Sequence, residues 1–172
     1  MKKRFTLFLL LLIGKLSATI YLEPTPQFKP CVEVATVYIE YKGQILLLHR
    51  QNNKSEGNKW GIPGGKVEKN ETPLQAVIRE TKEETGIDIS NQEIETLKTV
   101  YVEYNEKNHF VYHAFRTELQ GDPGAVRINF DEHKGFTWVK PADALKMDLL
   151  QDEDACIMKD YFPQRSVMKI ND

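Results

Sequence analysis

Hydrophobic positions follow two different periods on either side of a glycine-rich break. Residues 31–41 (CVEVATVYIEY) alternate and predict a strand. Lys42-Gly43 makes a turn, and residues 44–50 (QILLLHR) carry a continuous apolar run that predicts a buried strand. Residues 51–59 are polar, include Gly57 and read as a loop; Trp60-Gly61-Ile62-Pro63 then leads into Gly64-Gly65. From Thr72 the period becomes that of a helix. Leu74, Val77, Ile78, Thr81 and Thr85 share one side. Thr72 is a good N-cap, Pro73 suits the first helical position, Gln75 completes a capping box, and Gly86 sits where a left-handed cap ends a helix.

Beyond the helix, residues 93–104 and 110–119 are rich in β-branched and aromatic side chains and predict a hairpin turning at 105–108. Gly121-Asp122-Pro123-Gly124 is a turn, residues 135–139 a short strand and 141–145 the start of a short helix. Residues 152–162 read as a final helix capped by Asp152. Together these elements predict an α/β (α+β) domain with a mixed sheet between helices.

The N-terminus departs from this pattern. Met1-Lys2-Lys3-Arg4 is basic, residues 5–14 are almost wholly apolar, and Leu16-Ser17-Ala18 ends in a small residue. Residues 1–18 therefore resemble a signal peptide, and the apolar run is too short to span a bilayer comfortably. The expectation is export with cleavage after Ala18. Lys15 and Leu16 fit that cleavage poorly, so an uncleaved membrane anchor is a second reading and a cytoplasmic protein with a mis-assigned start a third. Residues 19–30 hold three prolines and read as an extended linker, leaving 31–172 as the folded domain.

A length of 172 residues suits one domain with its own core, and 41% hydrophobic with 28% charged residues is ordinary for a soluble globular chain. A net charge of −2 gives no reason to expect a nucleic-acid polymer as partner. The two cysteines, Cys31 and Cys156, lie in no metal-binding spacing and are expected as free buried thiols, although an exported chain could join them. The four histidines, His49, His109, His113 and His133, are scattered.

The chemistry concentrates on the helix. Glu80, Glu83 and Glu84 form a ridge of three carboxylates. Such a ridge weakens a helix: Glu80 and Glu84 repel at i,i+4, and Glu83 and Glu84 oppose the dipole at its C-terminus. A solvated acidic face would explain the run, but so would oxygen ligation of a hard divalent cation, Mg²⁺ or Mn²⁺.

The flanking residues resemble the Nudix box. That motif is a glycine, five residues, a glutamate, seven residues, then Arg-Glu-U-x-Glu-Glu-x-Gly-U with U aliphatic. Gly65, Glu71, Arg79, Glu80, Glu83, Glu84 and Gly86 match all seven fixed positions, and Ile87 fills the last aliphatic one. Thr81 departs from the pattern; it lies on the apolar face, where its hydroxyl could bond a carbonyl one turn back. The looser resemblance runs from about Cys31 to Phe162.

The resemblance implies the Nudix α/β/α sandwich and hydrolysis of a pyrophosphate bond in a nucleoside diphosphate linked to another group. It implies that Glu80, Glu83 and Glu84 carry the metal, with the carbonyl of Gly64 as an extra ligand. Arg79 would orient a glutamate, and Glu71 would brace the loop or the second ligand shell. For the general base, a helix glutamate competes with a distant loop acid. Glu132, six residues before Trp138, occupies a place similar to that acid in MutT-type pyrophosphatases, and Asp131 is its rival. Among substrates, the run 63–87 looks closest to nucleoside triphosphate pyrophosphatases. The proline that marks ADP-ribose hydrolases is absent from residues 99–108. ADP-ribose or another nucleotide sugar is the alternative, as is a non-catalytic binding module. Trp60, Tyr101, Tyr104, Phe110 and Tyr112 could stack a base, or could be packing residues.

Overall fold

Strand β2 (Val32–Tyr41) is buried on both faces from Ala35 to Glu40, because it has neighbours on both edges and a layer on each side. This computed structural model describes residues 19–105 and 108–150. The signal-like segment 1–18, the centre of the loop expected at 105–108, the helix expected at 152–162 and Cys156 lie outside the described residues.

In chain order the elements are β1 (Thr19–Tyr21), β2, β3 (Gln44–Arg50), β4 (Trp60–Gly61), β5 (Gly64–Lys66), α1 (Pro73–Thr85), β6 (Glu95–Asn105), β7 (Asn108–Glu118), β8 (His133–Val139) and α2 (Pro141–Ala144). The sheet runs β1-β6-β7-β2-β3-β4, with β5 also paired to β2 and β8 to β3. β2 and β7 are parallel, from Val32 opposite Phe110 to Glu40 opposite Glu118. Every other named pairing is antiparallel, so the sheet is mixed.

Strand alternation divides the apolar residues between two cores. Ala35, Val37, Ile39, Leu46, Leu48 and Phe115 meet Ala76 and Val77 of α1 on one face. Tyr38, Ile45, Leu47, Val100, Val102, Tyr112 and Ala114 lie on the other, covered by Ala144 of α2 and by Leu145, Met147 and Leu149.

α1 begins and ends where its capping residues predict. Thr72 Oγ1 accepts from Gln75 N–H, Gln75 Oε1 accepts from Thr72 N–H, and Gly86 takes the left-handed conformation at φ 73°. Its buried stripe is Ala76, Val77, Thr81, Glu84 and Thr85. That corrects two expectations. Leu74 is 41% exposed, because the stripe starts at Ala76 and Val77 and leaves the first turn out. Thr81 Oγ1 has no partner among the described residues; the back-bond is made one turn later, with Thr85 Oγ1 donating to Thr81 O at 2.6 Å. The linker expected at 19–30 also starts later. Thr19–Tyr21, β-branched and aromatic, pair with Tyr101–Glu103 as an edge strand. Phe28 then stacks on His109, and Cys31, an exposed rather than a buried thiol, donates its N–H to His109 O at 2.8 Å.

Candidate active site

Three backbone segments meet at the C-terminal half of α1. The first is the glycine pair. Gly64 has φ 147°, and a Cβ there would fall 2.3 Å from Ala35 O, so only glycine fits beside β2. Its N–H points at the helix and donates to Glu84 Oε2 at 2.9 Å. A Cβ on Gly65 would come within 2.5 Å of the Glu80 carboxylate, which rests against the bare backbone.

The second segment leads into α1 through Glu71. Arg79 Nη2 and Nε donate to Glu71 at 2.7 and 3.2 Å, and Nη2 also donates to Lys66 O at 3.2 Å. Arg79 Nη1 lies 2.9 Å from Glu80 Oε1 and 3.1 Å from Glu83 Oε2. One guanidinium therefore gathers three carboxylates and the last carbonyl of β5. Its hydrogen bonds, with one from the Glu68 N–H, hold the Glu71 carboxyl below its ordinary range. Burial raises the Glu80 carboxyl above its ordinary range; Arg79 opposes the rise, and the charges of Glu84 and Glu83 add to it.

The third segment is the loop before β8. Backbone carbonyls at a helix C-terminus need partners. Arg127 N–H donates to Thr85 O at 2.8 Å and Asn129 N–H to Glu84 O at 3.1 Å. From the other side Gln51 N–H donates to Glu132 O at 2.8 Å, and its side-chain amide donates to Phe130 O at 2.8 Å. The loop thus delivers Glu132 and His133 to Glu84. Donor atoms of Glu84, Glu132 and His133 lie within 4.8 Å of one another. His133 Nε2 is 2.8 Å from Glu84 Oε1, and both residues are 6% exposed.

The ridge is thus graded, with Glu84 buried, Glu80 half-buried and Glu83 exposed. Of the two loop acids, the structure brings Glu132 to Glu84, while Asp131 is exposed. Tyr112 is fully buried and accepts from Thr36 Oγ1 at 2.6 Å, and Trp60 stacks on His49 at 4.2 Å, so these two rings are engaged in packing. Sequence reasoning missed His133 and Gln51. Only adjacency to Glu132 could have flagged His133, and nothing in the sequence marks Gln51.

The carboxylates of Glu84 and Glu132 lie close together, and that of Glu80 rests against a glycine that leaves it room; such oxygen donors fit a hard divalent cation. A mixed sheet carrying an acidic helix on one face, locked to a glycine loop, is the architecture of a Nudix hydrolase. The chain belongs to that family: the model of the NUDIX domain matches residues 29–161. It is 30% identical over 118 residues to the CTP pyrophosphohydrolase of Escherichia coli K12, a match covering 69% of this chain and 82% of that one. It is 32% identical over 98 residues to the 8-oxo-dGTP diphosphatase of Proteus vulgaris, covering 55% and 86% respectively. The ORF135 protein of Escherichia coli superposes with a TM-score of 0.66 at 27% identity, over 84% of this chain and 97% of that one. The MutT protein of Methanosarcina mazei Go1 does so with 0.66 at 26% identity, over 80% and 96%.

Proposed function

We propose that this Nudix hydrolase is a divalent-metal-dependent pyrophosphatase of nucleoside triphosphates. The observation that carries this reading is the convergence of Glu84, Glu132 and the glycine loop at one end of α1. Glu80, Glu83, Glu84 and the Gly64 carbonyl would hold Mg²⁺ or Mn²⁺. A cation bound there would neutralise pyrophosphate oxygens and favour deprotonation of the attacking water. Glu132 would accept that water's proton, Arg79 would keep Glu80 and Glu83 in place, and Glu71 would hold Arg79.

Triphosphates are favoured over nucleotide sugars by the extent of the similarity. The relatives named for CTP and 8-oxo-dGTP match 69% and 55% of this chain. The ADP-ribose pyrophosphatase of Methanocaldococcus jannaschii is 48% identical, but over only 34% of it. The test is turnover on a panel of nucleoside triphosphates, ADP-ribose and nucleotide sugars with Mg²⁺ or Mn²⁺. Preference for ADP-ribose would reverse the assignment, and binding without turnover would make the chain a binding module.

We further propose that residues 1–18 direct export and are removed. The reading rests on the basic start Lys2-Lys3-Arg4, the apolar run 5–14 and the small residue Ala18, and strand β1 begins directly after them at Thr19. Fractionation with N-terminal sequencing should find a mature chain starting near Thr19. An intact Met1 on a protein confined to the soluble cytoplasm would contradict export.

A further inference from the structure

Glu84 is a buried carboxylate held at both oxygens. Gly64 N–H donates to Oε2 at 2.9 Å, and His133 Nε2 lies 2.8 Å from Oε1. The imidazole has two neutral tautomers, and its surroundings choose between them. His133 Nδ1 has no partner among the described residues and is buried. A proton on Nδ1 would bury an orphan N–H and turn the Nε2 lone pair toward a carboxylate oxygen. A proton on Nε2 makes the bond to Glu84 and leaves only an unused acceptor at Nδ1. The second arrangement is much the cheaper.

A competing arrangement makes Nε2 a metal ligand beside Glu84 and Glu132, whose donor atoms all lie within 4.8 Å. A ligating histidine, however, nearly always donates its other N–H to a carbonyl, carboxylate or water. Nδ1 has no such protein partner among the described residues.

We infer that His133 is a positioning residue. Its Nε2–H holds Oε1 while the Gly64 N–H holds Oε2, which fixes the rotation of the Glu84 carboxylate and keeps a second lone pair on each oxygen for a cation. This rests on the reading of Glu84 as a metal-holding residue. The imidazole is itself located by the residue it serves, because the loop leading into it is bonded to the Glu84 carbonyl through Asn129. His133 N–H also donates to Asn129 O at 2.9 Å, which ties ring and anchor into one short turn.

The test compares His133→Gln, whose amide nitrogen reaches the position of Nε2, with His133→Asn, which falls short of it, and His133→Leu, which has no donor. Each full-length variant is checked by thermal unfolding. Mn²⁺ affinity is measured by EPR without substrate, and kcat and KM on the wild type's best nucleotide. For His133→Leu and His133→Asn, Mn²⁺ affinity and kcat should each fall about 10–100-fold, with KM nearly unchanged. His133→Gln should recover most of both losses. Wild-type values in His133→Leu, or a glutamine variant as impaired as the asparagine one, would overturn the inference. So would histidine ¹⁴N coupling to Mn²⁺ bound to the wild type, which would make His133 a ligand. If His133→Leu does not fold, the glutamine-to-asparagine comparison decides alone. A wild type that binds Mn²⁺ but turns over no nucleotide would sink the proposed function while leaving the affinity measurements to judge His133.

Discussion

Asn129 donates its backbone N–H to the backbone carbonyl of Glu84 at 3.1 Å, while the Glu84 side chain points to His133, four residues past Asn129. One residue of α1 is therefore bound to the same loop twice, once through its backbone and once through its carboxylate. The carbonyl bond caps a helix end, and the carboxylate bond orders the site. Stability and chemistry here share an anchor, so variants of the helix glutamates should separate by what each carboxylate touches.

Glu84→Gln and Glu83→Gln should each lower turnover by about two or more orders of magnitude, since both would remove charge from the proposed metal site. Their stabilities should diverge. A glutamine at 84 must turn its amide N–H₂ toward either the Gly64 N–H or the His133 Nε2–H, at a cost of about 1–3 kcal/mol. Glu83 is exposed and lies in the last turn, where losing its charge relieves the helix dipole. Thermal unfolding of both variants checks this, and a Glu84→Gln protein as stable as Glu83→Gln would contradict it.

The two glycines should also separate. Gly64→Ala would place a Cβ against Ala35 O in a conformation that disfavours side chains, and should destabilise the fold by at least about 1–3 kcal/mol. For Gly65→Ala the nearest atoms belong to the movable end of Glu80. It should unfold near the wild-type temperature yet lose about tenfold or more in kcat, because the displaced carboxylate is part of the site. Equal losses of stability in the two variants would refute the distinction.

Glu132→Gln should slow the chemical step by about 10²–10⁴-fold, the range for loss of a general base. Asp131→Asn should stay near wild type, because Asp131 faces solvent. Single-turnover rates at saturating substrate decide the matter. Equal, near-wild-type rates in both would return the base to a helix glutamate.

What the sequence disclosed followed its local rules. Thr72, Gln75 and Gly86 mark the ends of α1 because capping is settled within a few residues, and the capping bonds form as expected. The acidic ridge was visible because its three glutamates offend helix electrostatics. Pairings between distant segments were not visible. Nothing local makes β2 parallel to β7, or makes residues 19–21 join β6. The gradation of the ridge depends on the loop docked against the end of α1, so Glu84 reads like its neighbours in the sequence. His133 was missed for the same reason. Its partner is 49 residues away, and a loop held by Gln51 and by the carbonyls of Glu84 and Thr85 brings them together.

The proposed reaction cleaves the pyrophosphate bond of a nucleoside triphosphate and needs a divalent cation. Phosphorus NMR of the products reads both requirements at once. Full-length protein is stripped with a chelator, then incubated with CTP and with a purine triphosphate, alone and with Mg²⁺ or Mn²⁺. Nucleoside monophosphate and pyrophosphate should appear in equal amounts, only when metal is restored. Full turnover by the stripped protein, or no cleavage of any triphosphate by metal-loaded protein, would contradict it.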